Sequence, residues 1–446
     1  MPSLVQPEKV LGRMINRSLP TLPLPPSQFI SYFAENPEVP IRQLLEPYLT
    51  YETWLRLEFA KNPSQADGFE NLVSIYDGQE DKLKIRAIDR QTADRNKYIL
   101  PLSKREREKD GSLAITSSLL DYRDNFKGFT RNWSNIVVAG SAALLPLLSR
   151  RRDIKIDNDP ATESPSESYY QTTAAWSDVD IFLYGIDDEA SAIKRIIEID
   201  TVLRKNQHFI YPDTAMSLRS DNAITFVSPR WPFRHIQVIL RLYRSINEIL
   251  TGFDVDCACV AFDGEQVYSN PRGIAAIVTR TNTIDISRRS PSYENRLWKY
   301  RSHKFEVYWD YLDRSRLRRI SPKDGDNPKT LTGLARLIHY ENTLRGKYTE
   351  DYKRIDDGGD PTLVASSGYA ALEIPYGRDF TAGKARRYFE TATDEPYRCG
   401  TILEVTGQCP HSKEGKGKLR KKMAFVKDNP GRQMIGSFYP LNEEDW

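Results

Sequence analysis

The sequence predicts an α/β (α+β) fold with a mixed sheet, and three observations support this. An apolar run, residues 136–139, ends abruptly at Gly140 and is followed by an apolar helix-like stretch. A second strand-like run, residues 177–185, carries the aspartates Asp178 and Asp180. Short helix-like and strand-like segments then alternate as far as residue 262. Such alternation around one carboxylate pair is typical of an α/β core.

Composition restricts the class of protein. The 446 residues include 64 Lys and Arg against 61 Asp and Glu, so net charge gives no global signal for nucleic acid. We expect an intracellular protein, cytoplasmic or nuclear, that does not span a membrane, because no apolar run approaches about 20 residues. We predict an N-terminal helical or extended region (1–110), a core (111–300) and a C-terminal region of helix and loop (301–446).

The segment before the core reads as mixed structure. Apolar residues at helical spacing predict a helix over 41–60, with a break at Pro47. Residues 71–76 and 84–89 read as short strands, and residues 119–133 as a helix. The charge cluster at 104–109 is expected on a solvated face.

The core continues past a polar segment, residues 150–173, which is expected to loop out. A helix follows over 190–204, and strands are predicted over 222–227, 235–243 and 252–262. An amphipathic helix is expected over 331–348, and the basic run 413–422 is expected to be a solvated loop.

Asp178 and Asp180 are separated by one residue, so on a strand they point to the same face. Two carboxylates that close repel each other unless a cation lies between them, and oxygen ligands of this kind suit Mg²⁺ or Mn²⁺. Gly140 permits a tight turn, and the amides of the helix that starts at Ser141 suit a phosphate. These features predict metal-assisted nucleotidyl transfer.

Two-metal transfer favours a third carboxylate on a neighbouring strand. Asp254 and Asp256 open the predicted strand 252–262 and would share a face, and of the two we favour Asp254. The alternative is that one of them, or both, caps the preceding helix or binds backbone amides.

A basic helix after the core supplies candidate nucleotide contacts. Cations beside the metals would neutralise a triphosphate, and an aromatic ring would stack on a base. The candidates are Arg288, Arg289, Tyr293, Arg296 and Lys299, with Arg241 on the strand before them. Ser290 or Ser292 would cap this helix, and Arg234, Arg241 and Arg244 rank lower as phosphate contacts. An ordinary solvated basic helix is the alternative.

Cys399, Cys409 and His411 would give a zinc site only three ligands, so structural or loop cysteines are favoured.

The Gly140-Ser141 turn and the Asp178-x-Asp180 strand together resemble the DNA polymerase β-like nucleotidyltransferase superfamily. The resemblance implies that superfamily's core, flanked here by helical regions, and metal-dependent transfer from a nucleoside triphosphate. The interval from Ser141 to Asp178 is longer than the compact family spacing. The alternative is a βαβ turn followed by a strand with solvated aspartates.

Longer runs resemble a fungal family of ankyrin-repeat proteins in which this block precedes the repeats. They include RNWSNIVVAGSA, WSDVDIFLYG, RHIQVILRLYRSINEILTGFDVDCACVAFDGEQVY and IDISRRSPSYENRLWKY, and similarity extends over nearly the whole chain. No ankyrin period occurs within the sequence, which we expect to be a repeat-less member or a fragment. The resemblance implies protein partners.

The leading hypothesis is a nucleotidyltransferase whose acceptor is an RNA end, a protein or a small molecule. The first alternative is a catalytically silent interaction or regulatory domain partnered with ankyrin repeats. The second is a nucleotide sensor that binds without turnover.

Overall fold

The computed structural model describes residues 18–109, 114–115, 118–148, 178–206, 216–229, 234–317, 331–345, 380–391, 398–408 and 423–426. Within these ranges the chain forms an α+β fold on a mixed sheet, which confirms the predicted fold class. The predicted loop 150–173, the basic run 413–422, Cys409 and His411 lie outside the described residues. Cys399 is half-buried and forms no disulfide.

The described strands are β1 (Val73–Ser74), β2 (Tyr98–Ile99), β3 (Ile136–Ala139), β4 (Val179–Tyr184), β5 (Met216–Arg219), β6 (Ala223–Val227), β7 (Ile236–Tyr243), β8 (Val260–Phe262), β9 (Val267–Ser269), β10 (Thr281–Thr283), β11 (Glu306–Tyr308) and β12 (Arg398–Gly400). The described helices are α1 (Phe29–Glu35), α2 (Ile41–Lys61), α3 (Pro63–Ala66), α4 (Ala87–Gln91), α5 (Lys104–Lys109), α6 (Leu119–Asp124), α7 (Ser141–Leu147), α8 (Glu189–Asn206), α9 (Ile246–Gly252), α10 (Pro271–Thr279), α11 (Tyr293–Ser302), α12 (Gly333–Leu344), α13 (Ala382–Thr391) and α14 (Ile402–Thr406).

The large sheet has nine strands in the order β1-β9-β8-β3-β4-β7-β6-β5-β12. β4 lies at its centre, antiparallel to β3 and parallel to β7, while the other neighbouring pairs of this sheet are antiparallel. A second sheet contains β10, β11 and β2 in that order. The mixed strand directions agree with the prediction.

Side chains along the central strands point alternately to the two faces of the sheet, and an apolar layer covers each face. Ile181 and Val238 pack on one face with Ile196 of α8 and Val405 of α14. The other face belongs to a larger cluster that draws on the helices near the N-terminus, on β3 and on α12. All three predicted regions of the chain therefore contribute to one core.

Several predicted elements are confirmed. The strands predicted over 222–227 and 235–243 are β6 and β7, and the helices predicted over 190–204 and 331–348 are α8 and α12. In α8 the buried residues Ala192, Ile196, Ile199 and Leu203 recur at helical spacing. Glu189 in its first turn and Arg204 in its last complement the helix dipole.

Other predictions were wrong in their details. α2 continues through Pro47 without a break, because a buried stripe that includes Tyr48 and Leu55 holds the helix together. The cost of an internal proline, about 3 kcal/mol, is offset by such packing. Residues 84–89 form no strand but lead into the short helix α4, and α6 ends nine residues before the predicted limit of 133.

The charge cluster at 104–109, predicted to be a solvated face, also forms ion pairs with the rest of the protein. It forms α5, and Glu106 of that helix pairs with Arg301 at 3.1 Å and with Lys304 at 2.8 Å. Within the described ranges, no helix is both long enough and apolar enough to cross a membrane.

His235 makes the stability of this fold depend on pH. Burial lowers the pKa of its imidazole from 6.5 to about 4, and its Nδ1 accepts a hydrogen bond from the Ser228 amide at 3.0 Å. Between pH 6.5 and 4 the unfolded chain binds a proton that the folded chain excludes, so stability falls as pH falls.

At about 1.4 kcal/mol for each pH unit between the two pKa values, His235 lowers the free energy of unfolding by about 3 kcal/mol as the pH falls from 6.5 to 4. We expect His235→Gln to abolish this loss. Urea unfolding of both proteins from pH 4 to 8 measures the effect. Parallel stability profiles for the two proteins would contradict it.

Candidate functional site

The site is built around Asp178 and Asp180 at the start of β4. Val179 and Ile181 pack into the apolar layer on one face, so the two aspartates point to the other face, as predicted. Both are half-buried. Neither carboxylate accepts a hydrogen bond from any described residue, which leaves their oxygens available to a ligand.

The acid pair is electrostatically strained. Burial raises the pKa of Asp178, and burial together with the charge of Asp178 raises the pKa of Asp180 to about 6. The cations Lys299 and Arg234 partly offset both increases. A divalent cation would remove the repulsion, and two carboxylates on one strand face have the oxygen chemistry that Mg²⁺ or Mn²⁺ requires.

The predicted phosphate turn lies beside this pair. In the β3–β4 ladder Ala139 is opposite Asp180, so Gly140 begins the turn next to the acids. Gly140 has φ of 77° and ψ of −142°, a conformation that favours glycine, and it is the N-cap of α7. Gly140 and Ser141 are both buried, and a Cβ on Gly140 would lie 3.9 Å from the ring of Phe253.

The helix α11 brings positive charge to the same place. Arg296 and Lys299 are one helical turn apart, and both side chains are half-buried. Burial lowers the pKa of the Lys299 ammonium, and the charges of Asp178 and Asp180 oppose that change. Asp178, Asp180 and Lys299 are therefore close enough for their charges to act on one another.

Three further residues belong to this region. Arg234, ranked low from sequence, donates from Nη2 to the carbonyl oxygen of Asp178 at 2.9 Å. Gln237 lies opposite Asp180 on β7. His303 follows Lys299 by one turn, and burial, together with Lys299 and Arg234, lowers the pKa of its imidazole to about 4. Sequence reasoning missed Gln237 and His303, although the spacing of 296, 299 and 303 signalled one helix face.

The predicted strand over 252–262 is wrong. α9 ends at Gly252, a 3-10 turn spans Asp256–Ala258, and the strand β8 begins only at Val260. Asp254 and Asp256 therefore do not share a strand face, and each has its own structural partners.

Asp254 is 3% exposed and accepts hydrogen bonds from the amide of Ser290 at 3.2 Å and from the Ser290 hydroxyl. It also forms an ion pair with Arg296. Asp256 pairs with Arg272 at 2.8 Å and accepts from the Thr283 amide at 2.6 Å. Among the described residues no group of three His, Cys, Asp or Glu side chains is placed to hold a metal ion.

Four of the predicted nucleotide contacts lie in the interior instead. Arg241 pairs with Glu248 at 2.9 Å, Arg288 with Asp285 at 2.9 Å, and Arg289 with Glu294 at 2.8 Å. These three arginines are 1–4% exposed and Tyr293 is fully buried. A phosphate contact by Arg241, Arg288 or Arg289 would require breaking a buried ion pair, and the buried partner of Arg288 is Glu52 at 3.2 Å. Arg296 is likewise paired with the buried Asp254, so Lys299 is the member of this set that acts on the acid pair.

The predicted caps of α11 take other roles. Ser292 is the N-cap residue but its side chain makes no capping hydrogen bond, and the Ser290 hydroxyl donates to Asp254.

Comparison with known proteins gives two partial similarities. Residues 106–280 match the profile of a family described as Gabija anti-defense 2 (Gad2). This match includes the acid pair and the Gly140 turn but ends before α11. An uncharacterized protein of Acanthamoeba polyphaga mimivirus, R883, is 31% identical over 216 residues, which cover 45% of this chain and 48% of the viral protein. The chain thus spans about half the length of that relative, and neither description names a reaction.

Proposed function

We propose that this chain is a metal-dependent nucleotidyltransferase with a polymerase β-like core. The observation that carries the proposal is the placement of two half-buried carboxylates beside a glycine turn and within electrostatic reach of Lys299 on α11. Within the described ranges neither carboxylate accepts a hydrogen bond. The combination suits a nucleoside triphosphate with its divalent cation, because it joins a carboxylate pair with positive charge that acts on that pair.

In this reaction an acceptor oxygen forms a bond to the α-phosphorus, the bond to pyrophosphate breaks, and the acceptor proton leaves to a base or to water. Asp178 and Asp180 would hold Mg²⁺ or Mn²⁺. That cation, when bound, supplies Lewis-acid stabilisation of the phosphoryl oxygens. Lys299 and Arg234 would bind the triphosphate, and the charge they carry favours the leaving pyrophosphate.

The acceptor is an RNA end, a protein side chain or a small molecule. The partial match to a family described as anti-defense adds one candidate class, a component of a defence system. A role beside ankyrin repeats, as implied by the resemblance to the fungal family, belongs to the same proposal.

Pyrophosphate release from each of the four nucleoside triphosphates, with Mg²⁺ or Mn²⁺, tests the proposal. We expect release by the natural chain and none by an Asp178→Ala/Asp180→Ala variant. Asp187→Asn is the matched control, because Asp187 is an exposed aspartate just after β4 and its loss should change nothing. No release with any nucleotide across several acceptors would overturn the transferase.

The second candidate is a domain that binds the metal–nucleotide complex without turnover. The commitment of Asp254 to Ser290 and Arg296 favours it, because this acid was the predicted third carboxylate. Metal-dependent nucleotide binding without pyrophosphate release identifies this function.

A further inference from the structure

The strands that flank β4 present no carboxylate next to the acid pair. Opposite Asp180, the register places Ala139 on β3 and Gln237 on β7. The Gln237 amide donates from Nε2 to the hydroxyl of Thr225 on β6 at 3.2 Å. The position on a neighbouring strand from which a third acid would reach a shared metal therefore carries a neutral amide.

Asp254 does not act as the third carboxylate. It is almost completely buried, and its Oδ2 already accepts from Ser290 and from the Arg296 guanidinium. Turning this carboxylate toward a metal would leave the Arg296 charge without its partner, which is costly in a partly desolvated position. Two cations held about 4 Å apart need more anionic ligand than one carboxylate pair provides.

Lys299 already brings positive charge to the pair. Its ammonium acts on both Asp178 and Asp180 from the facing helix, and Arg296, on the preceding turn, is tied to Asp254. Lysine is a compact, flexible point charge that suits contact with phosphate oxygens. The Asp178 and Asp180 carboxylates thus lie within electrostatic reach of one lysine ammonium.

We infer that this site binds one divalent cation rather than two, and that the Lys299 ammonium supplies the positive charge that a second metal would bring. Gln237 is the residue that sets this stoichiometry. The inference rests on the proposed function, since it assigns the metal content of the same site.

The first test counts Mn²⁺ per chain by equilibrium dialysis and electron paramagnetic resonance. The probe is Mn²⁺ with saturating non-hydrolysable α,β-methylene analogues of the four nucleoside triphosphates. We expect one Mn²⁺ per chain. Two Mn²⁺ would overturn the inference and leave the transferase standing, whereas no Mn²⁺ with any analogue would overturn both.

The second test changes position 237. Gln237→Asp places a carboxylate opposite Asp180, and we expect the count to rise to two. Gln237→Asn is the matched control, because it has the same size as the aspartate without its charge, and its count should stay at one. A count of one in a Gln237→Asp protein that melts at the temperature of the Asn variant would overturn the assigned role of this position.

The third test concerns Lys299 and uses Mn²⁺ without nucleotide. Lys299→Met removes a positive charge that acts on both acids, so it should bind Mn²⁺ about tenfold more tightly. Lys194→Met, on the exposed side of α8, should leave Mn²⁺ affinity unchanged. Equal affinity in the two variants would show that the ammonium does not act on the metal.

Discussion

Replacing Arg272 with methionine is expected to lower the free energy of unfolding by about 3–5 kcal/mol. Arg272 is 3% exposed and pairs with Asp256 at 2.8 Å and with Glu52 at 3.1 Å, and its guanidinium also donates to the Phe253 carbonyl. Methionine fills much of the volume but leaves the two acids with buried charge and fewer donors. Urea unfolding followed by tryptophan fluorescence measures the loss.

The matched control is Arg244→Met. Arg244 also pairs with an aspartate, Asp67, at 3.5 Å, but its side chain is 46% exposed. Exposed pairs contribute about 0–1 kcal/mol, so the control should unfold almost as the natural chain does. A loss at Arg272 no larger than at Arg244 would contradict the buried network and reopen Asp256 as a site residue.

Replacing Asp180 with asparagine is expected to reduce pyrophosphate release by about 100- to 1000-fold, the range for loss of one preorganised electrostatic group. The asparagine keeps the shape of the aspartate but removes one of the two charges that would hold the cation. The measurement is kcat/KM at saturating Mg²⁺. Asp187→Asn, an exposed change close by in sequence, serves as the control and should retain full activity.

The same change should stabilise the metal-free chain by about 1–3 kcal/mol. The pKa of Asp180 rises from 3.8 to about 6, so at neutral pH its ionised form destabilises the folded state relative to the unfolded state. Asparagine removes that cost. Lost activity combined with lost stability would instead show that Asp180 has a structural role, and it would contradict the assignment.

The elements around the site were predictable where local pattern and tertiary packing agree. β3, β4, β7 and α8 are long or strongly apolar, and each buries the face that its period predicts. The segment 252–262 has a strand-like composition too, yet its first half is a turn. Asp254 and Asp256 there find better partners in Arg296 and Arg272, which lie 42 and 16 residues further along the chain.

For the cations too, the sequence predicted the residues but only the tertiary structure showed which of them lie at the site. Arg288, Arg289, Arg296 and Lys299 lie in one basic stretch of the sequence, but composition does not predict which arginine forms an ion pair with a buried acid. Arg288 and Arg289 pair with Glu52, Asp285 and Glu294, while Lys299 and the lower-ranked Arg234 act on the acid pair. A buried charge requires a partner, and the partner here comes from a distant segment.

The sequence by itself determined the mixed α+β class, the acid pair on one strand face and the glycine turn, because each follows from residue type and short-range period. Only the tertiary structure decided that Gln237 lies opposite Asp180, that Asp254 and Asp256 are engaged elsewhere, and that Lys299 faces the pair. Strand register and long-range ion pairing join residues tens of positions apart, and no local pattern encodes those distances.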